Sequence, residues 1–179
     1  AHWKYLYVIG KNDIGGAIYD GFVTYIKLNL NEPEVTTVLS STADDQARGL
    51  DVNQHGEVFV GINAKASYDA RGYLGGWDIY IQKLSNTLVK ESSILVDSQT
   101  TNNDQIFTLY IDQNDNIFTG ESKSYTGPGI YRSAEIKKFN RNLIRDATYT
   151  NTFNPSTQDV PIGSRYYSYI FSITGDRTN

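Results

Sequence analysis

Short runs in which β-branched or aromatic residues alternate with polar residues recur along the chain. Val23–Leu28 (VTYIKL) and Asp78–Leu84 (DIYIQKL) have the period of two that is typical of a strand with one buried face. The apolar runs GLDV and TLYI are followed by NQHG (53–56) and DQNDN (112–116), which predict hairpin turns. No segment keeps a helical period for three turns. The pattern therefore predicts an all-β protein.

Four segments read as copies of one strand that ends in glycine. They are Leu6–Gly10, Glu57–Gly61, Asn116–Gly120 and Phe171–Gly175, and their glycines are 51, 59 and 55 residues apart. A regular period of this size predicts a repeat architecture, here built from strands. We therefore expect Gly10, Gly61, Gly120 and Gly175 to be structural positions of the repeat.

Acidic and basic residues keep step with these glycines. Asp45, Asp104 and Asp159 each lie 16 residues before a repeat glycine, and three lysines, Lys27, Lys83 and Lys138, are each followed by a leucine, at Leu30, Leu88 and Leu143. One aspartate per repeat favours a structural role, a buried carboxylate that accepts backbone hydrogen bonds, over a metal-binding or acid role. We expect about four strands per repeat, with repeats at 11–61, 62–120 and 121–175 in one domain, 1–179.

Four antiparallel strands that recur about every 55 residues are typical of a β-propeller blade. The sequence thus predicts about three four-stranded blades and one extra N-terminal strand. Since propellers have about four to eight blades, three cannot close a ring. We expect either a fragment of a longer propeller, which is the favoured interpretation, or a protomer that completes a ring with other copies. The missing blades would come from the parent chain or from those copies.

The composition argues against some classes of partner and some kinds of chemistry. The net charge is −4 and no basic stripe is present, which argues against nucleic acid. No apolar run is long enough for membrane insertion. The chain has no cysteine, which removes disulfides and thiolate chemistry.

Asp112, Asn114 and Asn116 have the spacing that begins an EF-hand calcium loop. Ile117 stands where that loop requires glycine, and Lys123 stands where it requires the bidentate glutamate. The pattern favours a hairpin turn, with a weak Ca²⁺ site as the alternative.

Catalytic motifs are missing from the sequence. The only histidines are His2 and His55, and His55 falls in a predicted turn. The sequence contains no P-loop, no dinucleotide-binding glycine motif and no sialidase-type Asp-box. We expect no catalytic residue, no cofactor and no enzyme activity.

The loops that follow the glycines are rich in aromatic residues with arginines nearby. The candidate ligand-binding residues are Tyr19, Tyr68, Arg71, Tyr73, Trp77, Tyr125, Tyr131 and Arg132. Rigid aromatic faces beside polar groups suit a sugar ring or a protein partner. The alternative is that these rings pack between neighbouring blades.

Gly75–Leu88, continued through Asp104 to Ile111–Ser124, resembles the SBBP-type bacterial β-propeller repeat. The repeat pattern of that family begins with GG-x-D and ends with a hydrophobic strand that finishes in T-G. The first repeat matches from Asp20 to Gly61 with its glycine pair displaced to Gly15–Gly16, and the third repeat departs from the pattern at Tyr167–Tyr169. The resemblance implies a propeller and a secreted or surface-exposed bacterial protein, and it implies no activity.

Together these features predict a non-catalytic binding or scaffold module that is extracellular or on the bacterial cell surface, with a glycan or protein as its ligand. Two alternatives stay open. One is part of a polysaccharide-acting enzyme whose essential residues lie in missing blades. The other is a purely structural assembly subunit.

Overall fold

The structure, a computed structural model, describes residues 5–16, 18–27, 35–72, 76–96, 103–126, 130–153, 166–167 and 170–175. These residues form twelve strands and no helix. The strands are β1 (Tyr5–Gly15), β2 (Ile18–Lys27), β3 (Val35–Leu39), β4 (Asp45–Val52), β5 (Val58–Ala64), β6 (Asp78–Leu84), β7 (Lys90–Leu95), β8 (Gln105–Ile111), β9 (Ile117–Thr126), β10 (Ile130–Phe139), β11 (Arg145–Phe153) and β12 (Tyr166–Tyr167). Asp159 lies outside the described residues.

The strands form three antiparallel sheets, each a simple meander. Sheet 1 has the order β1-β2-β3, sheet 2 the order β4-β5-β6-β7 and sheet 3 the order β8-β9-β10-β11, with β12 parallel to β10. The predicted all-β class is confirmed. The described residues form three sheets and do not form a closed ring.

The sheets stack face to face over two separate cores. Val60 and Ile62 of β5 belong to the core that sheet 2 shares with sheet 1, which includes Val23 of β2. Phe59 of β5 and Ile106 of β8 belong to the core between sheets 2 and 3. Successive residues of β5 thus point to opposite cores, so sheet 2 is buried on both faces and its strand reads as a continuous apolar run.

Four hairpin turns share one cap. A side-chain oxygen at the first position of each turn accepts hydrogen bonds from the backbone N–H groups two and four residues later. The capping residues are Asn53, Ser85, Asp112 and Asn140. This is the local side-chain-to-backbone bonding that favours Asn, Asp and Ser in turns. The predicted turns at NQHG and DQNDN are therefore present, as the β4-β5 and β8-β9 connections.

The repeated leucines lie in two of these turns. Leu88 and Leu143 occupy the fourth turn position with φ of 61° and 62°, where the β4-β5 turn has Gly56 at 80°. Their side chains are buried, 3% and 4% exposed. Leucine in left-handed backbone is strained, so burial of the side chain offsets that strain.

The boundaries of the sheets do not coincide with the boundaries of the sequence repeats. The expected boundaries after residues 61 and 120 fall inside β5 and β9, so each of sheets 2 and 3 joins the end of one repeat to the start of the next. Phe171–Gly175 was expected to be a strand, but it forms no ladder with another described strand. A strand needs a neighbour for its backbone hydrogen bonds, and among the described residues no strand forms a ladder with this segment.

Gly10 does not occupy the repeat's glycine position. Gly61 pairs with Ile81, two residues before Lys83, and Gly120 pairs with the residue two before Lys138. In sheet 1 the residue two before Lys27 is Tyr25, and its partner is Tyr7. Tyr7 is therefore the structural equivalent of Gly61 and Gly120. Gly10 lies three residues further along and faces the ring of Phe22.

Candidate binding surface

Because neighbouring strands run antiparallel, successive connections lie at opposite ends of each sheet. The four capped turns lie at one end, here called the turn end. The connections after β1, β5 and β9, which the sequence singled out as variable loops, lie at the opposite end, here called the loop end. Asp45 and Asp104 precede or begin the first strands of sheets 2 and 3, so they also lie at the loop end.

A row of charged and aromatic residues crosses the loop end from sheet 1 to sheet 2. We call Lys11, Tyr19, Asp44, Lys65 and Trp77 the loop-end row. Lys11 Nζ lies 4.1 Å from the centroid of the Tyr19 ring. The Tyr19 N–H donates to Asp44 Oδ1 at 3.3 Å. The second Asp44 oxygen accepts from Lys65 Nζ at 2.6 Å, and that ammonium lies 4.7 Å from the centroid of the Trp77 ring.

The row continues toward sheet 3 through the backbone of Trp77. Its N–H donates to Asn103 Oδ1 at 3.2 Å, and its carbonyl accepts from the Asp104 N–H at 2.8 Å. Trp77 thus sits at the junction of sheets 2 and 3, and Asp104 is held there, 3% exposed. Both rings of the row, Tyr19 and Trp77, are partly exposed.

The charges of the row are mutually stabilised. The hydrogen bond from Lys65 lowers the pKa of Asp44, so this carboxylate stays ionised at neutral pH. An exposed pair of this kind adds little to folding stability. Its effect is to hold the Lys65 ammonium over the Trp77 ring, and the Lys11 ammonium lies over the Tyr19 ring, where each is attracted by the ring quadrupole. The result is a pre-ordered surface of rings, ammonium groups and one carboxylate.

Tyr68 does not contribute to this surface. It is 4% exposed, its hydroxyl donates to Gln82, and its ring lies 5.4 Å from that of Tyr80. Burial, with Asp45 and Asp69 nearby, raises the pKa of Tyr68. Its ring packs within the core between sheets 1 and 2, as the alternative interpretation of the loop aromatics would have it.

Arg71 fastens its loop to sheet 2. Its side-chain Nε donates to Ser93 Oγ at 3.4 Å, and its backbone N–H donates to the carbonyl of Tyr68 at 3.0 Å. Asp69 in the same loop contacts Ser93 and Lys90. Arg71 is exposed, but its bonds serve the loop.

The remaining candidates are placed by register alone or not at all. Tyr125 of β9 pairs with Tyr131 of β10, and Arg132 pairs with Ser124. These three candidates therefore lie near the loop end of sheet 3. Tyr73 lies outside the described residues.

Asp45 is buried and only half satisfied. Its Oδ2 accepts from the backbone N–H of Ser41 at 2.5 Å, while its Oδ1 has no hydrogen-bond partner. Burial raises the pKa of Asp45 to about 6, and the nearby Asp20 and Asp44 charges add to the rise. The bond to Ser41 closes the turn that leads into β4, which is a structural role.

The candidate calcium turn uses its carboxylate internally. Asp112 Oδ1 accepts from the backbone N–H groups of Asn114 and Asn116 at 2.8 and 2.9 Å, and Oδ2 accepts from Asn116 Nδ2 at 2.8 Å. No group of three histidine, aspartate or glutamate residues in the described segments could hold a metal ion. His55 in the neighbouring turn lies 3.1 Å from Asp115 and links the turn ends of sheets 2 and 3.

Sequence reasoning missed two sets of charges, one that joins sheets 2 and 3 and one inside sheet 3. At the turn end, Glu57 accepts two hydrogen bonds from Arg141, at 2.6 and 2.7 Å, and contacts Lys83 at 2.7 Å. Arg141, with Lys83, lowers the pKa of Glu57 to about 2. Arg141 thus joins sheet 3 to sheet 2 through Glu57, while the regularly spaced Lys83 pairs with Glu57 and Glu91 inside sheet 2.

The second set is fully buried. Lys137 contacts Glu121, both 0% exposed, and lies 3.8 Å from Glu135. Glu121 shares a strand face with the apolar Ile117, and Lys137 shares one with Phe139. Charged side chains are rarely buried in full, so the sequence alone gives no signal for these positions.

No helix in the described residues is long and apolar enough to cross a membrane. No protein-family model and no curated protein sequence matches the chain. The resemblance to the SBBP-type repeat therefore stays a prediction.

Proposed function

We propose that this protein is a non-catalytic binding module whose ligand, a glycan, is recognised at the loop end by the loop-end row. The supporting observation is the continuous arrangement of Lys11, Tyr19, Asp44, Lys65 and Trp77 across two sheets. Aromatic rings beside fixed hydrogen-bonding groups suit the apolar face and hydroxyl edge of a sugar ring. The resemblance of the repeats supports a secreted or surface-exposed bacterial setting.

A hydrolytic role is less well supported by the same geometry. Asp45 has the raised pKa that a general acid needs, but its side chain is buried and its bonded oxygen serves Ser41. Asp44, the exposed carboxylate of the row, has a lowered pKa. Glycoside hydrolysis requires two accessible carboxyl groups, one protonated and one ionised. Asp44 and Asp45 do not meet this requirement, because only Asp44 is accessible.

Tryptophan fluorescence tests the proposal. The chain has two tryptophans, Trp3 and Trp77, so a Trp3→Phe background makes Trp77 the single reporter. We expect saturable changes in its emission on titration with one class of oligosaccharide from a neutral and acidic panel. Tyr19→Ala should weaken that binding about tenfold or more, equivalent to about 1.4 kcal/mol. Val89→Ala at the turn end is the matched control and should leave the affinity unchanged.

Three results would overturn the proposal. The first is an emission spectrum that no oligosaccharide alters. The second is an affinity that Tyr19→Ala and Val89→Ala change equally, which would place the ligand elsewhere. The third is release of new reducing ends from a polysaccharide, which would favour the enzyme alternative. A response to a purified protein and to no sugar would replace the glycan by a protein ligand.

A further inference from the structure

Sheet 1 is one strand short of the other two sheets. Sheets 2 and 3 each begin with a strand that pairs with the glycine strand, β4 beside β5 and β8 beside β9. Sheet 1 begins with β1, which is equivalent to β5 and β9 because each pairs with the strand that carries the repeat lysine. In the part of the chain that the structure describes, β1 pairs with β2 alone. Its other edge is where a first strand would lie.

The outer face of sheet 1 is apolar and exposed. Since Tyr7 is equivalent to Gly61, Leu6 and Val8 are equivalent to Val60 and Ile62. Those two residues are 0% exposed in sheet 2, whereas Leu6 is 51% and Val8 38% exposed. The face also carries a cavity of about 290 Å³ whose lining includes Ile14, Phe22 and Val38. The corresponding face of sheet 2 is covered by sheet 1.

The segment 170–175 lies on sheet 3 as β8 lies on sheet 2. A Cβ on Gly61 would be 2.6 Å from Ile106, and a Cβ on Gly120 would be 2.8 Å from Ile170. The distance of 64 residues between Ile106 and Ile170 recurs in two further contacts. Their sequences also agree, IFTL from Ile106 and IFSI from Ile170.

The second contact joins the first strands. Gly49 of β4 is packed against the backbone N of Leu109, and its equivalent Thr108 accepts from the N–H of Ile173 at 3.4 Å. Gly49 and Thr108 are equivalent because each pairs with a repeat glycine.

The third contact lies two residues further along. Asp51 accepts from the N–H of Ile111, and its equivalent Tyr110 meets Gly175. Three contacts with one offset make 170–175 the positional equivalent of β8. It occupies the position of a first strand, and in the described residues no second strand pairs with it.

We propose that a second copy of this chain supplies those strands: residues 170–175 of one copy pair with the free edge of β1 in the other. The register follows from sheets 2 and 3, and it places Ser172 opposite Tyr7 and Ile173 opposite Leu6. The outer face of sheet 1 then covers the far face of sheet 3 of its partner, as sheets already cover one another twice within the chain.

Reciprocal exchange between two copies gives six complete four-stranded sheets. Six lies within the range of about four to eight blades in which propellers close. A head-to-tail contact that closes gives a ring, and one that does not gives a filament. This inference concerns β1 and the segment 170–175, so it stands or falls separately from the ligand proposed for the loop end.

Cysteine cross-linking tests the pairing directly, because the chain has no cysteine of its own. Leu6→Cys with Ile173→Cys should give a covalent dimer under mild oxidation, twice the 20.1 kDa of one chain on a non-reducing gel. Leu6→Cys with Ile144→Cys, an exposed position at the turn end, is the matched control and should stay monomeric on the same gel. Equal cross-linking of both pairs, or of neither, would overturn the register.

A second pair of variants tests the interface without cross-links. Val8→Lys places a charge in the covered face and should convert the dimer to a monomer in gel filtration. Val89→Lys, also an exposed valine, should leave the dimer intact. A Val8→Lys protein that is folded by circular dichroism and still dimeric would refute the proposed contact, and a ladder of larger species would refute closure by two copies.

Discussion

At the residue scale, small polar side chains determine where this chain turns. Asn53, Asp112 and Asn140 make the same pair of hydrogen bonds to backbone N–H groups, and Ser85 makes them through its hydroxyl. These turns could be predicted because the capping bonds are local in sequence. The role of Leu88 could not, since its left-handed backbone depends on the core into which its side chain fits.

The Asp112 turn gives the first prediction. Asp112→Ala removes the acceptor of the two backbone bonds and should lower the free energy of unfolding by about 1–2 kcal/mol. Asp112→Asn should be close to wild type, since Asn53 and Asn140 already cap their turns this way. Urea denaturation measures both variants. Added calcium should not shift the wild-type midpoint, and a calcium-dependent rise lost in Asp112→Asn would instead support the calcium site.

The buried Asp45 gives a prediction on pH dependence. Its pKa of about 6 is above the ordinary value of 3.8, so the folded state binds its proton more tightly than the unfolded state. The stability that this proton contributes is present below about pH 4 and is lost as the pH rises through 6, a change of about 3 kcal/mol.

Asp45→Asn should remove this loss. The free energy of unfolding of the variant, measured in urea from pH 4 to 7, should therefore rise relative to wild type across that range. Asp44→Asn is the matched control, because the lowered pKa of Asp44 gives stability that is lost only as the pH falls. Parallel curves for wild type and Asp45→Asn would contradict the assigned pKa.

At the element scale, the sequence indicated most strands and hairpins, with Phe171–Gly175 as an exception, but not how they group into sheets. Period-two patterns identify individual strands. The spacing between repeats is the same wherever the start of a repeat is placed, so this spacing does not show which strands form one sheet. The boundary after residue 61 therefore fell inside β5. The pairing of Tyr7 with Tyr25 also escaped detection, because a glycine that matches by motif need not match by register.

Close packing between sheets gives a prediction at this scale. A Cβ on Gly49 would lie 2.8 Å from the backbone N of Leu109 and 2.9 Å from the backbone C of Thr108. Backbone atoms cannot rotate away, so Gly49→Ala should separate β4 from β8 and lower the free energy of unfolding by about 2–3 kcal/mol. Chemical denaturation of the variant measures this loss.

Gly61→Ala is the matched control for this prediction. Its Cβ would meet the terminal Cδ1 of Ile106 at 2.6 Å, and a side-chain end can shift to another rotamer. We expect a smaller loss than at Gly49. Equal losses at the two positions would show that the backbone approach of β4 to β8 is not the limiting contact.

At the scale of the whole molecule, the candidate surface and the stack depend on contacts between sheets. The loop aromatics were identified from the sequence, but only the fold separates the partly exposed Trp77 and Tyr19 from the buried Tyr68. Lys11, Asp44 and Lys65 carry no motif of their own. They become part of a surface because three connections lie at the same end of the stacked sheets.

The stack also explains two features that belong together. Sheet 1 is without a first strand in the described residues, and the segment 170–175 takes the position of a first strand on sheet 3. Each feature alone would leave an apolar face or a segment without neighbouring strands. The proposed pairing with a second copy accounts for both and would complete a ring of six sheets.

The most direct test is the absolute mass of the unmodified chain in solution, measured by light scattering at neutral pH over a range of concentrations. We predict a single species with twice the 20.1 kDa chain mass, in which each segment 170–175 completes the sheet of the other copy. A monomer at every concentration, or a continuous distribution of larger assemblies, would contradict the ring of two copies.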